Sequence, residues 1–363
     1  MCASACLPRV QCFFLPFARH AARLYSLISD MPMSALFPSI LVLALLSTVA
    51  SAAKPAVAAT QARQLGSRVP MDKETILRVQ IFLDQECFGP GKIDGALGEF
   101  SYKAVVNYNF ANNQNDLYDW TTVVREATEA VPSALANHRV REELYRFVNP
   151  ELPEEPELWQ DFPAMAYRSM VELIAERFHT DESFLQTLNP KKNLTHLKPG
   201  DLVVVPNVRP FKIEDIKKYQ SFKADPILST HTVVIDTTER MGAIYDKEER
   251  MLAAFPITPG KPEFIPRGQW KIVNMNATPD FRYDKQFLEQ GQRGEEAFHI
   301  PPGPNSPVGI LWAGLSKSGI GLHGTAMPRT IGRAQSAGCV RFANWDAIRL
   351  TSLVRPGSPV IVR

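Results

Sequence analysis

The spacing of hydrophobic residues changes along the chain and divides it into regions. From about residue 225 to residue 363, short alternating runs of valine, isoleucine, phenylalanine and tryptophan are separated by glycine or proline turns, roughly every ten residues. Alternation with a period of two is typical of half-buried strands, and this turn spacing is typical of an all-β sandwich or barrel. One short helix is predicted within the region, from Asn344 to Val354.

Residues 71–112 follow a helical period instead. Asp72 offers an N-cap to a first apolar helix face. A turn rich in glycine at residues 89–95 separates it from a second apolar run at residues 104–110. This order predicts a small helical domain and resembles the peptidoglycan-binding domain type 1. A generic helical hairpin is the alternative interpretation.

Two further segments lie between the helical and the β-rich regions. Residues 113–160 are polar and acidic, and prolines among like charges at their end predict a connector, with a helix from about Ser133 to Phe147. Residues 161–207 contain Leu-Asn-Pro and Lys-Pro-Gly-Asp followed by an apolar run to Pro206. These signatures resemble a LysM module, which implies a βααβ unit that binds glycan strands. A degenerate module kept as a spacer is the alternative.

The first 52 residues are predicted to be a signal peptide. Leu36–Val49 is an almost unbroken apolar run, and Ala50-Ser51-Ala52 resembles a signal-peptidase cleavage site. The run is short for a membrane span, although an uncleaved anchor is the alternative. The start codon is ambiguous, because Met31 and Met33 also precede the run. Residues 53–70, rich in alanine, are predicted to be a flexible linker.

Composition narrows the classes of function. The chain has 40 Lys and Arg against 38 Asp and Glu, and a net charge of +2 argues against a dedicated nucleic-acid binder. No phosphate-cradling glycine loop or dinucleotide fingerprint occurs in the sequence, and no cofactor is expected. Only Cys87 and Cys339 follow residue 12. Cys87 lies in an apolar stretch and is expected to be a buried small hydrophobe without a structural disulfide.

Cys339 is the residue most indicative of chemistry. It lies beside Gly338 and Arg341, sixteen residues after His323, which is itself in a loop rich in glycine. A cysteine and a histidine in such loops suggest a thiolate nucleophile with its base. Backbone amides near Gly338 could stabilise an oxyanion, and Arg341 could hold a carboxylate or help to lower the pKa of the thiol. A zinc site is not expected, because this pair lacks a third and a fourth ligand.

These residues resemble the catalytic motif of the L,D-transpeptidases, the YkuD-type enzymes that cross-link peptidoglycan. The resemblance extends over about residues 228–363. Five landmarks occur in the family's order: an opening strand Thr232–Asp236, its partner Gly242–Tyr245, a turn Ile265–Trp270, a loop Pro301–Gly309 and a closing strand Gly357–Val362. One departure is Ala337, where the family usually has a histidine in Ser-His-Gly-Cys.

The resemblance implies a role for each motif residue. Cys339 would be the nucleophile, His323 the general base and acid, and Gly324 the residue whose carbonyl orients the imidazole. The amide of Gly338 would bind the oxyanion. The residues expected to bind the substrate are Arg341, Ser336 and Arg333.

The predicted protein is therefore multidomain. A mainly β catalytic domain, sandwich-like or barrel-like, at residues 225–363 follows the small α-helical domain and the LysM-like module. The implied activity is 3→3 cross-linking of stem peptides in the periplasm, at the cell wall, with the membrane involved only through the signal segment. Alternatives are water or a protein lysine as the acceptor, or a catalytically silent peptidoglycan-binding scaffold, which Ala337 alone favours.

Overall fold

A computed structural model gives the arrangement of these regions. It describes residues 71–261, 267–286, 294–295, 297–333 and 338–363. The predicted signal peptide and linker lie outside the described residues, as do residues 265 and 266 of the predicted turn. Ser336 and Ala337 also lie outside them. The described residues belong to one compact unit.

The N-terminal region folds into helices α1 (Lys73–Gln85), α2 (Glu99–Ala111) and α3 (Trp120–Ala130). Asp72 caps α1 as predicted, because its carboxylate accepts a hydrogen bond of 2.7 Å from the amide of Thr75. The side-chain carbonyl of Gln80, buried on α1, accepts hydrogen bonds from the amides of Asp94 and Gly95. This side chain holds the glycine-rich turn against α1. The third helix was not predicted.

A βααβ unit follows, but its first strand differs from the prediction. Strand β1 (Leu135–Arg139) pairs antiparallel with β2 (Leu202–Pro206), and α4 (Met170–Arg177) and α5 (Glu182–Leu188) lie between them in the chain. The helix expected from Ser133 to Phe147 is therefore wrong: the segment contains β1 and a short 3-10 helix. The largely polar run Leu135–Arg139 pairs with the apolar β2, and this long-range pairing overrides local helix propensity.

The C-terminal region is built on an eight-stranded mixed sheet with the order β11-β10-β9-β6-β12-β3-β4-β5. Its strands are β3 (Thr232–Asp236), β4 (Met241–Tyr245), β5 (Met251–Pro256), β6 (Gly268–Ala277), β9 (Leu311–Leu315), β10 (Gly321–His323), β11 (Val340–Arg341) and β12 (Pro359–Val362). A separate hairpin contains β7 (Phe281–Tyr283) and β8 (Phe298–Ile300). Helix α6 (Asn344–Arg349) follows β11 and continues as a 3-10 turn.

Shorter 3-10 helices connect these elements. They are Glu142–Phe147, Pro156–Asp161, Leu194–His196, Ile213–Asp215, Leu228–Thr230, Pro328–Thr330 and Leu350–Ser352.

The sheet curls until its two ends meet. Thr258, just beyond β5, and Arg341 on β11 exchange two backbone hydrogen bonds of 2.9 Å. The sequence prediction of a barrel-like β domain is confirmed for this region. Because β10 and β11 lie at this junction, the predicted site residues are placed where the sheet closes.

The helical region and the βααβ unit pack directly on the β domain. Backbone hydrogen bonds join Cys87 and Gly89 to Ala254, which covers the outer edge of β5. At a second contact, both carboxylate oxygens of Asp84 on α1 accept hydrogen bonds from Arg349 on α6. The three regions are therefore joined by buried backbone and ionic contacts.

Two findings concern predictions about cysteine and the membrane. Cys87 is buried as expected, with 1% of its surface exposed, but it is disulfide-bonded, contrary to the prediction. Within the described ranges, none of the helices has both the length and the apolar character that a membrane span requires.

Candidate active site

The candidate site lies on one face of the short strands β10 and β11. These strands are parallel, with Leu322 opposite Val340 and His323 opposite Arg341. Successive side chains point to opposite faces of a sheet, so Leu322 and Val340 enter the core, where both are buried. By the same alternation, His323 and Arg341 share the other face with Cys339, which directly precedes β11.

His323 is held by its backbone and by an aromatic neighbour. Its side chain is buried, with 4% exposed, and Nδ1 lies 2.7 Å from the carbonyl oxygen of Gly324. A carbonyl only accepts, so Nδ1 carries the proton and Nε2 keeps its lone pair. The indole of Trp312 on β9 stacks against the imidazole at a centroid distance of 5.6 Å. The ring is therefore fixed in the tautomer that can act as a base.

The electrostatic environment keeps this imidazole neutral. Burial lowers the pKa of His323 to about 3, and the neighbouring Arg341 guanidinium acts in the same direction, against the hydrogen bond to Gly324. Arg341 is half-buried, and among the described residues its Nε has no hydrogen-bond partner. A cation with an unused donor faces the thiol and the imidazole.

Cys339 is a half-buried reduced thiol. Its Sγ lies 3.6 Å from the carbonyl oxygen of Gly319, to which the thiol donates. Burial raises the pKa of the thiol to about 11, although the Gly321 amide and Arg341 act in the opposite direction. The expectation that Arg341 helps to lower this pKa gives the correct direction for that one contribution, but burial outweighs it. The site therefore contains a neutral thiol and a neutral imidazole.

The loop before Cys339 is confined by a close backbone contact. Gly338 is buried and has φ = 149°, a conformation that favours glycine. A Cβ on Gly260, which follows β5, would lie 2.4 Å from the Cα of Gly338. The two glycines allow the chain after β5 to cover the nucleophile loop, which leaves no room for a side chain at the crossing.

Behind the histidine loop lies the fully buried amide of Asn344, the first residue of α6. Its Oδ1 accepts hydrogen bonds from the amides of Ile310 and Thr325 at 3.2 and 3.1 Å. A Cβ on Gly324 would lie 2.2 Å from the same oxygen. Gly324 is thus required for close approach to Asn344 as well as for its carbonyl.

The predicted substrate-binding residues are placed differently. Arg341 belongs to the site. Arg333 is exposed and lines a cleft of about 180 Å³ between the helical region and the β domain, where Phe100 and Trp345 also lie. Ser336 lies outside the described residues.

Sequence reasoning missed Trp312 and Glu176. Trp312 has a sequence signal only in the alternation of β9, which does not reveal that its ring faces His323. Glu176, on α4, is buried and accepts a hydrogen bond from Asn344, which lies 168 positions later in the chain. Such a contact between distant segments leaves no local pattern in the sequence.

Comparison with known proteins decides the type of domain. Residues 230–362 match the sequence model of the YkuD family, the L,D-transpeptidase catalytic domain. The chain is 28% identical over 193 residues to a Bacillus licheniformis protein whose assigned name is L,D-transpeptidase YkuD, a match that covers 53% of this chain and 92% of that protein. These residues form a YkuD-type L,D-transpeptidase catalytic domain. Enzymes of this family act on the stem peptides of the cell wall.

Other similarities to L,D-transpeptidases are partial. A Bacillus subtilis protein of the same name is 46% identical over 113 residues, 31% of this chain and 54% of its own length. The structure of Mycobacterium tuberculosis L,D-transpeptidase 3 in complex with a faropenem-derived adduct overlaps 46% of this chain and 76% of its own, at 15% identity and a TM-score of 0.31. An Enterococcus faecium L,D-transpeptidase C442S mutant overlaps 37% of this chain and 50% of its own, at 17% identity and a TM-score of 0.28.

Proposed function

We propose that the catalytic domain forms 3→3 cross-links between peptidoglycan stem peptides through a cysteine acyl-enzyme. The observation that supports this most directly is the juxtaposition of Cys339 and His323 on one face of two parallel strands, with Nδ1 of the imidazole bound to Gly324. This arrangement leaves Nε2 as the proton acceptor for a nucleophile.

In the first half-reaction, Sγ of Cys339 attacks the carbonyl carbon of the third residue of a tetrapeptide stem, a diamino acid. His323 Nε2 takes the thiol proton as the sulfur–carbon bond forms. The amides of Gly338 and Cys339 hold the tetrahedral oxyanion. The carbon–nitrogen bond to the terminal D-alanine then breaks, and the imidazolium protonates the departing amine, leaving a thioester.

In the second half-reaction, the side-chain amine of a second stem attacks the thioester carbonyl. His323 accepts a proton from that amine and returns it to the departing sulfur. The products are a new amide and the regenerated thiol. Splitting the transfer into two steps allows the acceptor to enter after D-alanine has left.

The neutral state of Cys339 and His323 determines when the histidine acts as a base. With a thiol pKa of about 11 and an imidazole pKa of about 3, a preformed thiolate–imidazolium pair is not the ground state. Proton transfer to His323 must accompany attack, so the histidine acts during the step and not before it. Arg341 then faces the anionic sulfur as it develops, and can also bind a stem carboxylate, a role we also assign to Arg333 and Ser336.

The regions before the catalytic domain are proposed to hold it at the wall. We assign a peptidoglycan-binding role to residues 71–112 and a glycan-binding role to the LysM-like βααβ unit, each of which would raise the effective concentration of stems. This proposal includes export by the signal segment to the periplasm.

The test uses the purified chain and tetrapeptide muropeptides, with products identified by mass spectrometry. We expect dimers joined 3→3 that are absent with Cys339→Ala. Loss of D-alanine without dimers would identify water as the acceptor. Unchanged muropeptides, together with no carbapenem adduct on Cys339, would reject catalysis in favour of a silent scaffold.

A further inference from the structure

Asn344 has every polar atom of its side chain occupied, and its partners come from separate segments. Its Nδ2 donates to Glu176 Oε1 at 2.7 Å and to the Pro304 carbonyl at 3.3 Å, while Oδ1 accepts from the amides of Ile310 and Thr325. One buried amide therefore joins α4, two points of the loop before β9 and the loop that follows His323.

Glu176 is the partner that comes from outside the catalytic domain. Its side chain, on α4 of the βααβ unit, is 6% exposed. The second carboxylate oxygen accepts a short hydrogen bond from the hydroxyl of Tyr167. Both oxygens are thus satisfied, which a carboxyl group buried at a junction requires.

The chemistry of the partners dictates which way the Asn344 amide points. Burial raises the pKa of the Glu176 carboxyl group to about 8. In either protonation state Oε1 can accept from Asn344, so it selects the NH2 end of the amide, whereas the backbone amides of Ile310 and Thr325 donate and select the oxygen. Without the Glu176 oxygen, the NH2 end of Asn344 would keep only the longer bond of 3.3 Å to the Pro304 carbonyl among the described residues. Turning the amide would place NH2 donors against two N–H donors.

Oδ1 of Asn344 packs directly against the residue that orients His323. The position of a Cβ on Gly324 would be 2.2 Å from this oxygen, and the carbonyl of Gly324 holds Nδ1 of His323 at 2.7 Å. Any turn or shift of the amide therefore moves the backbone on which the imidazole depends.

We propose that Glu176 is a positioning residue for His323, acting from the βααβ unit through Asn344. The role of His323 as base rests on the proposed function; the positioning itself does not. It follows that the βααβ unit is part of the catalytic framework and not only a tether to the wall.

Further hydrogen bonds join the segment before α4 to the loop before β9. Met165 donates its amide to the Pro302 carbonyl and accepts from the amide of Asn305, both at 3.0 Å, and the Asn305 side chain donates to Ala166 at 2.9 Å. A Cβ on Gly303 would lie 2.2 Å from the Met165 carbonyl oxygen. These contacts fix the position of the segment before α4 relative to the loop before β9, and so keep Glu176 opposite Asn344.

The experiment compares Glu176→Ala with Tyr167→Phe in the full chain. Each variant removes a bond to the same carboxylate, but only the first removes the bond to Asn344. Two readouts are used: hydrogen exchange at the amides of Ile310 and Thr325, and the rate at which a carbapenem acylates Cys339. For Glu176→Ala we expect exchange at both amides to rise at least about tenfold and acylation to fall about tenfold or more.

Glu176→Gln is the conservative variant. Its carbonyl oxygen can still accept from Asn344, so we expect exchange and acylation within about threefold of wild type, as for Tyr167→Phe. If Glu176→Ala does not fold, Glu176→Asp replaces it, because the shorter side chain keeps a carboxyl group but withdraws it from Asn344.

The two proposals fail in different ways. A wild-type chain that a carbapenem does not acylate would refute the catalytic role, while the exchange rates would still test the positioning. Folded Glu176→Ala with wild-type exchange at Ile310 and Thr325 would overturn the positioning role whatever the acylation rate. So would equal effects of Glu176→Ala and Tyr167→Phe on both readouts.

Discussion

Among the described residues, two buried histidines each stack on a tryptophan, and of these two only His323 faces a nucleophile. His323 stacks on Trp312 with ring centroids 5.6 Å apart, and His179 stacks on Trp345 at 5.2 Å. Both rings are almost fully buried, with 4% and 2% of their surface exposed. Burial lowers the pKa of each.

The two rings differ in the group that Nδ1 meets. In His179, Nδ1 lies 3.0 Å from the carboxylate of Asp84, the pairing often found in catalytic triads. In His323 it lies against the carbonyl of Gly324. The Asp84 carboxylate is also bound by both terminal nitrogens of Arg349. The pair at His179 therefore forms part of an ion-pair network that joins the helical region to the catalytic domain.

This comparison teaches that a carboxylate–histidine pair does not define an active site. What matters is the group available to the second ring nitrogen. For His323, the thiol of Cys339 and the cation of Arg341 share its face of the sheet. For His179, the other side of the ring is closed by packing, and Nε2 has no hydrogen-bond partner among the described residues.

Replacing each histidine by alanine gives the largest contrast. We expect His323→Ala to lower the rate of Cys339 acylation by about 10²–10⁴-fold, because the base is lost. His179→Ala should change that rate by less than about fivefold and lower the free energy of unfolding instead, by about 2–4 kcal/mol. Acylation is followed by mass spectrometry and stability by urea unfolding. A large rate loss in folded His179→Ala would remove the distinction between the two rings.

The ionic role of Asp84 predicts the next effect. Burial would raise its pKa, but Arg349 and His179 outweigh burial and hold the pKa well below the ordinary 3.8. Asp84→Ala leaves Arg349 with Asp346 as its remaining carboxylate partner, so we expect a loss of about 3–5 kcal/mol in the free energy of unfolding. Because the folded pKa is depressed, the contribution of Asp84 is present above pH 3.8 and is lost as the pH falls below it. Urea unfolding at pH 7 and at pH 3 measures both effects, and a mutational loss that is equal at the two pH values would contradict the ionic account.

The close contact between Gly260 and the loop before Cys339 can be tested by replacing Gly260 with alanine, with the same replacement at Gly98 as the control. A Cβ at Gly260 would lie 2.4 Å from the Cα of Gly338, whereas at Gly98 no described atom lies within 4 Å of such a Cβ. We expect Gly260→Ala to cost about 1–3 kcal/mol through overpacking and to slow acylation of Cys339, and Gly98→Ala to change each by little. Thermal unfolding measures the stability of each variant, and mass spectrometry measures its rate of Cys339 acylation. Equal stability and equal acylation rates in the two variants would show that the loop accommodates the added methyl group without loss of stability.

The β domain could be predicted because its signals are local. Alternating apolar runs between turns specify strands, and β3, β4 and β12 occur at the predicted landmarks. The motif around Cys339 and His323 could likewise be found in the sequence, because its residues lie in two short local segments that resemble the catalytic motif of the L,D-transpeptidases. The bond from His323 to Gly324 was expected from the family resemblance and is present.

What could not be predicted depends on pairing between distant segments. The run from Leu135 to Arg139 has no local strand signal, and becomes a strand because β2 presents a complementary edge. The link from Glu176 to Asn344 and the stacking of Trp312 on His323 arise only when separate elements meet. The net direction of the thiol pKa shift could not be predicted either, because the nearby cation is evident in the sequence whereas the burial that outweighs it is not.

The smallest expected effect is that of pH on the rate of Cys339 acylation. A nearly constant rate would distinguish His323 from a histidine with an ordinary pKa. An imidazole with the usual pKa of about 6.5 would lose its base form on acidification, and acylation would fall about thirtyfold between pH 8 and pH 5. Burial and Arg341 lower the pKa of His323 to about 3, so the ring remains an unprotonated base throughout this range. The thiol, with a pKa of about 11, remains protonated throughout it. We therefore expect the rate of Cys339 acylation to vary by less than about threefold from pH 5 to pH 8, when measured with a carbapenem that does not titrate there. An inflection near pH 6.5 that is absent in His323→Ala would show instead that the ring titrates as an exposed histidine does, and would remove the difference in ionisation on which the neutral-pair mechanism depends.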